Sequence, residues 1–292
     1  MTMLCSSRCE RIAVRGMRYN VRHWGSENAP RMFMLHGWMD SSATFQFVVD
    51  AFSNAWHVIA PDLRGFGESE WMQRPYWFPD YYADLECVLD HYSPEIPVRL
   101  VGHSMGANIA ATYAAARPGR VKQVAMLDFL GLLASEPEDA PGRLAGWLDE
   151  LRTAPRMRVY RDRGALVRRL MAANGRLTLA RAEFLAEHVA RVREDGQIEM
   201  ACDPWHKMVS PTLYRVEESM AAWRAINVPV LMLVANEGYV HDRFGGRPDE
   251  LRRRLDCFRN ATVVTVEGAG HNLQHDQPER VAAALERFLS RD

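Results

Sequence analysis

Residues 98–107 read Val-Arg-Leu-Val-Gly-His-Ser-Met-Gly-Ala. Residues 98–102 form an apolar run of strand length. Residues 105–117 form an Ala-rich stretch of helical character, stopped by Pro118-Gly119. Between them stands Gly102-His103-Ser104-Met105-Gly106, a G-x-S-x-G sequence on a strand-to-helix turn. A serine on such a turn is expected in a strained backbone conformation with its hydroxyl pointing outward. The turn brings the positions two before and two after the serine together, where only small residues fit, and Gly102 and Gly106 supply them. Ala107 lets the helix pack close to the sheet. The helix N-terminus then aims backbone N–H groups at negative charge formed nearby.

Reading outward, the first half alternates short apolar strands with amphipathic helices. Residues 11–15 and 17–24 predict a hairpin turning near Gly16, and residues 31–35 a buried strand ending at His36-Gly37. Residues 41–52 have helical spacing, 57–61 read as a strand, 81–92 as a helix and 121–127 as a further strand. Elements of these lengths in this order predict an α/β fold with a mostly parallel sheet covered on both faces. From residue 129 to 227 the pattern becomes helical and Arg-rich, with breaks at Pro137, Pro141, Pro155, Gly175, Gly196 and Pro211. Strands then resume at 228–234 and 261–266, and residues 277–289 close as a helix. The expected organisation is a core of residues 1–128 and 228–292 with a helical cap, 129–227, inserted before the last two strands.

The chain has 292 residues, enough for one large α/β domain carrying an insertion. Hydrophobic residues at 48% and charged residues at 25% exclude disorder. Lys+Arg 36 against Asp+Glu 37 leaves a net charge of -1, so no global basic field exists to bind nucleic acid or an anionic membrane. Cys5, Cys9, Cys87, Cys202 and Cys257 have no C-x-x-C spacing and read as free thiols of a reducing compartment. Residues 1–15 hold no apolar core of signal-peptide length, and no run approaches the roughly 20 apolar residues of a membrane span. The expected location is the cytoplasm.

The sequence resembles the alpha/beta-hydrolase fold family along nearly its whole length. Besides the serine turn, the resemblance is carried by His36-Gly37-Trp38 after the third strand and by Asp62-Leu63-Arg64-Gly65-Phe66-Gly67-Glu68-Ser69. Gly270-His271, followed by Gln277-Pro278-Glu279, completes it. Residues 36–45 and Asp203-Pro204 are similar to the branch called serine hydrolase-like proteins. The resemblance implies that Ser104 is the nucleophile and His271 the general base, with the serine before the histidine as the fold requires. It implies oxyanion donors in the backbone N–H groups of Met105 and Trp38. His36 and His103 are expected to brace backbone turns. Trp38 and Phe129 are expected to bind substrate and suggest an apolar acyl pocket. The aromatic and sulfur residues of the insertion, such as Trp147, Met157 and Tyr214, are expected to form its own core, and Arg161, Arg163, Arg168 and Arg169 a solvated face. His275 stands four residues after His271, but no Glu or Cys partner completes a metal pattern. No cofactor and no metal are implied.

The acid departs from the family's common pattern. Aligning residues 228–235 onto the family's block puts Gly238 at the acid's usual place. The candidates are Asp128, at the end of strand 121–127 where some members carry the acid, and Glu237 as the alternative. Either must accept the Nδ1–H of the histidine and stabilise the imidazolium. A serine nucleophile supports acyl transfer and excludes the alkyl-ester chemistry of members with an Asp in its place. The expectation is a cofactor-free hydrolase of a carboxylic ester or related small acyl compound. The rivals are a ligand-binding, receptor-like or weakly active member, and a lyase, C–C bond hydrolase or oxygenase using the same residues.

Overall fold

The computed structural model describes residues 5–290. The first four positions of the stretch read above for a leader lie outside the described residues. Strands β1 (Ser7–Val14) and β2 (Met17–Trp24) form the predicted hairpin, with Arg15 and Gly16 at positive φ in its turn. There follow β3 (Arg31–Leu35), α1 (Gln46–Asp50), β4 (His57–Pro61), α2 (Pro79–Tyr92), β5 (Val98–His103), α3 (Met105–Ala116) and β6 (Val121–Leu127). The insertion carries α4 (Ala140–Glu150), β7 (Val159–Tyr160), α5 (Arg163–Ala173), α6 (Leu179–His188), β8 (Ala190–Val192), β9 (Ile198–Met200) and α7 (Val216–Ala225). The chain closes with β10 (Val230–Glu237), α8 (Tyr239–Phe244), α9 (Pro248–Leu255), β11 (Ala261–Gly270), α10 (Leu273–Asp276) and α11 (Pro278–Leu289).

Eight strands form one sheet in the order β1-β2-β4-β3-β5-β6-β10-β11. The β1–β2 and β2–β4 pairs are antiparallel, and β4, β3, β5, β6, β10 and β11 run parallel. Side chains alternate across the pleat, so each central strand feeds both faces. Phe33, Leu35, Leu100 and Met126 join the apolar layer that includes Ile109 and Tyr113 of α3. Met32, Met34, Val101 and Leu127 join the opposite layer, with Val48 of α1 and Val281, Leu285 and Phe288 of α11. No helix among the described residues is long and apolar enough to cross a membrane. All five cysteines are free.

The structure differs from the sequence expectation in several places. Residues 41–52 are not one helix. Ser42–Phe45 is a 3₁₀ turn ahead of α1, and the Ser42 N–H is taken by Asp62 Oδ1 at 2.6 Å. Strand β11 extends four residues beyond the expected end, past a register shift between Ala235 and Glu237 in its partner. The insertion is not wholly helical: β7, β9 and β8 form a small antiparallel sheet. Gly196, which reads as a helix break, is the positive-φ residue of a hairpin turn closed by Arg193 N–H donating to Gln197 O at 2.9 Å. Asp195-Gly196 is a hairpin signal overshadowed by the helical spacing on either side.

The insertion has an apolar core of its own, built from Tyr160, Leu166, Val167, Leu177, Leu185, Val189 and Ile198, and Phe47 of α1 reaches into it. Met157 and the α7 residues Val216, Met220 and Trp223 belong instead to the layer that contains α3, and Tyr214 packs against it. The main core therefore draws on residues from inside the 129–227 segment. Arg161, Arg163, Arg168 and Arg169 are exposed.

Candidate active site

Three loops at the ends of parallel strands bring the site together. After β5 the chain turns sharply, and Ser104 sits at φ 51, ψ -115, a conformation that L residues rarely adopt. The turn is held by the Ser104 N–H donating to Leu127 O at 3.0 Å. It is possible only because of the flanking glycines. A Cβ on Gly102 would collide with the Gly106 carbonyl, and one on Gly106 with the Leu35 carbonyl of β3. Ser104 is partly exposed at the head of α3.

His271 follows directly on β11, and its extra length delivers the ring to the serine. His271 Nε2 lies 3.0 Å from Ser104 Oγ. Its Nδ1 lies 2.8 Å from Asp128 Oδ2. Asp128 is fully buried and stands at φ 47, one residue beyond β6. Its carboxylate also accepts from the Tyr239 N–H at 2.6 Å and from the Ala235 N–H at 3.2 Å. The two backbone donors aim the charge before any substrate arrives and satisfy lone pairs that burial would otherwise leave costly.

The other candidate acid is placed elsewhere. Glu237 is 58% exposed and its carboxylate is ion-paired with Arg176 of the insertion. Gly238 explains why the common position is vacant, since a Cβ there would collide with Asp128 Oδ2. The space an acid would occupy after β10 is filled by the carboxylate arriving from β6.

The loop after β3 lies beside the serine. A Cβ on Gly37 would stand 3.2 Å from Ser104 Cβ. His36 is buried and braces this loop. Its Nε2 accepts from the Leu63 N–H at 2.9 Å, so Nδ1 carries the proton and donates to Gly37 O at 2.7 Å. With the Gly37 carbonyl held on that side of a trans peptide, the Trp38 N–H points to the other. Trp38 is 51% exposed. Phe129 is buried and stacks on Tyr239, ring centres 5.5 Å apart, and the Tyr239 ring is 5.5 Å from that of His271. Phe129 also lines an apolar cavity of about 160 Å³ with Met126, Val240, Leu251 and Leu255.

His275, noted for its spacing from His271, is buried and bonds Thr44 Oγ1 at 2.6 Å. Among the described residues no group of three or more His, Cys, Asp or Glu side chains is arranged to hold a metal ion. Residues of the insertion reach the histidine loop. Asn174 Nδ2 donates to Asp276 Oδ1 at 2.7 Å, whose other oxygen accepts the Gly270 N–H at 2.8 Å. Arg181 Nη1 donates to His275 O at 2.6 Å. Nothing in the sequence marks these contacts, because they join segments about a hundred residues apart. A row of hydroxyl, imidazole and buried carboxylate can pass a proton off the hydroxyl and stabilise the cation formed.

A family model described as alpha/beta hydrolase fold matches residues 30–278. A serine hydrolase-like protein of Danio rerio is 29% identical over 91% of this chain and 83% of its own length. A 2-(acetamidomethylene)succinate hydrolase of Mesorhizobium japonicum is 26% identical over 96% of this chain and 94% of its own. Among solved structures, a thioesterase domain from the curacin biosynthetic pathway superposes with a TM-score of 0.86. It is 24% identical and covers 97% of this chain and 99% of that one.

Proposed function

This chain belongs to the alpha/beta hydrolase fold family, near its serine hydrolase-like branch, and from that premise we propose that it is a serine hydrolase of a carboxylic ester or related acyl compound, working through Ser104, His271 and Asp128. The observation that carries the reading is the unbroken row from Ser104 Oγ through both ring nitrogens of His271 to Asp128 Oδ2, at 3.0 and 2.8 Å.

In this reading Ser104 Oγ attacks the acyl carbon while His271 Nε2 takes its proton. The C=O π electrons move to the oxygen and give a tetrahedral oxyanion. The backbone N–H groups of Met105, at the start of α3, and of Trp38, turned away from His36, bind that oxyanion. Collapse expels the leaving group, which takes the proton back from His271 and leaves an acyl-serine. Water, deprotonated by the same ring, then releases the acid and restores Ser104. Asp128 fixes the His271 tautomer with hydrogen on Nδ1 and stabilises the imidazolium in both halves. The insertion serves as the cap over this site, with a small-molecule acyl compound as substrate and no cofactor.

A fluorophosphonate probe tests the reading. Intact chain should be labelled rapidly at Ser104, with Ser104→Ala and His271→Ala refractory, and should hydrolyse members of an ester and thioester panel. Absence of both labelling and turnover from folded protein would favour the ligand-binding alternative.

A further inference from the structure

The residue before Ser104 reaches three parts of the site at once. The His103 ring packs on Gly37, its Nδ1 2.9 Å from where a Cβ on that glycine would stand. Its Nε2 lies 2.8 Å from the His271 carbonyl oxygen. Its ring centre is 4.8 Å from that of His271. A carbonyl oxygen only accepts, so Nε2 carries the proton, and Nδ1 of the neutral ring holds a lone pair. The Gln274 side-chain nitrogen faces that lone pair at 3.4 Å and also donates to Thr44 Oγ1 at 3.2 Å. Thr44 in turn bonds His275 at 2.6 Å. All four residues are buried.

We propose that His103 and Gln274 are a positioning pair: His103 holds the His271 backbone where its ring can take the Ser104 proton, and Gln274 caps the lone pair through which His103 could take that proton instead. The inference rests on the triad reading above. During attack one proton leaves Ser104 Oγ and must reside on His271 Nε2. A second imidazole this close would be a competing base, or, once protonated, a like charge opposing the imidazolium. A neutral His103 with both nitrogens committed is neither. Its surroundings act in the same sense. Burial drives His103 well below the ordinary imidazole range, His271, His275 and His36 push it further, and only its bond to the His271 carbonyl opposes them. Burial likewise lowers His275, against Asp40 and Asp276 and with Arg181.

The test has two arms on the full chain. In the first, the ring nitrogens of wild-type protein are followed by ¹⁵N NMR across the pH range of activity. His103 should remain neutral with hydrogen on Nε2 throughout. A His103 that titrates there, or carries its hydrogen on Nδ1, overturns the proposal whatever the variants do. In the second, kcat and KM for a chromogenic ester and the fluorophosphonate labelling rate are measured for four variants. His103→Phe should lower kcat and labelling about 10²-fold with KM nearly unchanged, the cost expected of a misplaced catalytic group. His103→Gln, which keeps an N–H donor for the same carbonyl, should recover most of that loss. Gln274→Glu replaces the cap by a carboxylate that favours uptake of a solvent proton by His103, and should depress kcat and add an ionisation to the kcat/KM profile. Gln274→Met, uncapping the lone pair, should do so more weakly. Folded variants with wild-type kcat and pH profile would overturn the pairing while leaving the triad intact. Wild type that neither labels nor turns over would instead remove the triad reading, and the NMR arm would still report on His103.

Discussion

The Asp128 carboxylate and a side chain at position 238 exclude one another. The carboxylate from the end of β6 occupies the volume that any side chain at 238 would need. Gly238 has φ -108, a backbone open to any residue, so the glycine is required by the neighbour and not by its own conformation. This makes the acid's position testable. Asp128→Asn should lower kcat about 10⁴-fold, since the amide favours the wrong histidine tautomer. Glu237→Gln should change it by less than about fivefold, because it removes only an exposed ion pair. Gly238→Asp alone should abolish activity through the clash and the crowding of two carboxylates. Combined with Asp128→Gly, it should restore activity above that of Asp128→Gly alone. Steady-state kinetics on the five variants decide the matter, and equal rates for the double variant and Asp128→Gly would show that the two positions are not interchangeable.

At the scale of elements, the serine turn depends on how closely α3 approaches β3. Gly106 leaves no room between its Cα and the Leu35 carbonyl, so α3 packs against the strand almost backbone to backbone. Gly106→Ala should destabilise the protein by about 3 kcal/mol or more, or prevent folding, because neither backbone can yield without dragging its element. Ala107 lies one residue on and is fully buried, and Ala107→Gly should cost only about 1 kcal/mol. Comparison of the two by denaturant titration checks the claim, and similar losses would show that helix propensity, not close approach, governs the turn. The spacing of the two glycines around Ser104 is readable from the sequence because the constraint is local. That Gly106 faces the Leu35 carbonyl is not, because that partner lies 71 positions away.

At the scale of the whole molecule, a dense joint between the insertion and the core forms around residues 65–76 and 201–206. Gly67 N–H donates to Ala201 O at 2.7 Å and Asp203 N–H to Gly65 O at 2.8 Å. The buried Asp203 carboxylate takes the Gln73 N–H and the Tyr76 hydroxyl, both at 2.8 Å. His206 is sandwiched between Phe66 and Tyr76, ring centres 3.9 and 3.6 Å away. Burial lowers His206 to about 3, against its bond to the Arg64 carbonyl, while His36 and Arg64 push it the same way as burial. In the unfolded chain it titrates near about 6.5. Between these values the unfolded state binds a proton that the folded state refuses. Stability should therefore be unaffected by His206 above about pH 6.5, fall as pH drops toward about 3, and level off below. His206→Phe, which keeps the ring sandwich, should flatten part of that acid slope in melting temperature. An unchanged slope would assign the acid sensitivity to other buried histidines, such as His23, which burial lowers to about 4.

What the amino-acid sequence determined by itself is whatever rests on neighbours within a turn or two. The strand, serine turn and helix at 98–117 depend on local sterics and a short apolar period, as do the parallel strands and the closing helix. Tertiary structure alone decided what depends on distant segments meeting. It placed the Asp128 carboxylate, and not that of Glu237, against the His271 ring, because β6 and β10 are neighbours in the sheet and Glu237 turns out toward Arg176. It also joined His103, Gln274, Thr44 and His275 into one buried network. No periodicity records such meetings: hydrogen-bonding partners chosen by packing share a place in space, and their separation along the chain carries no trace of it.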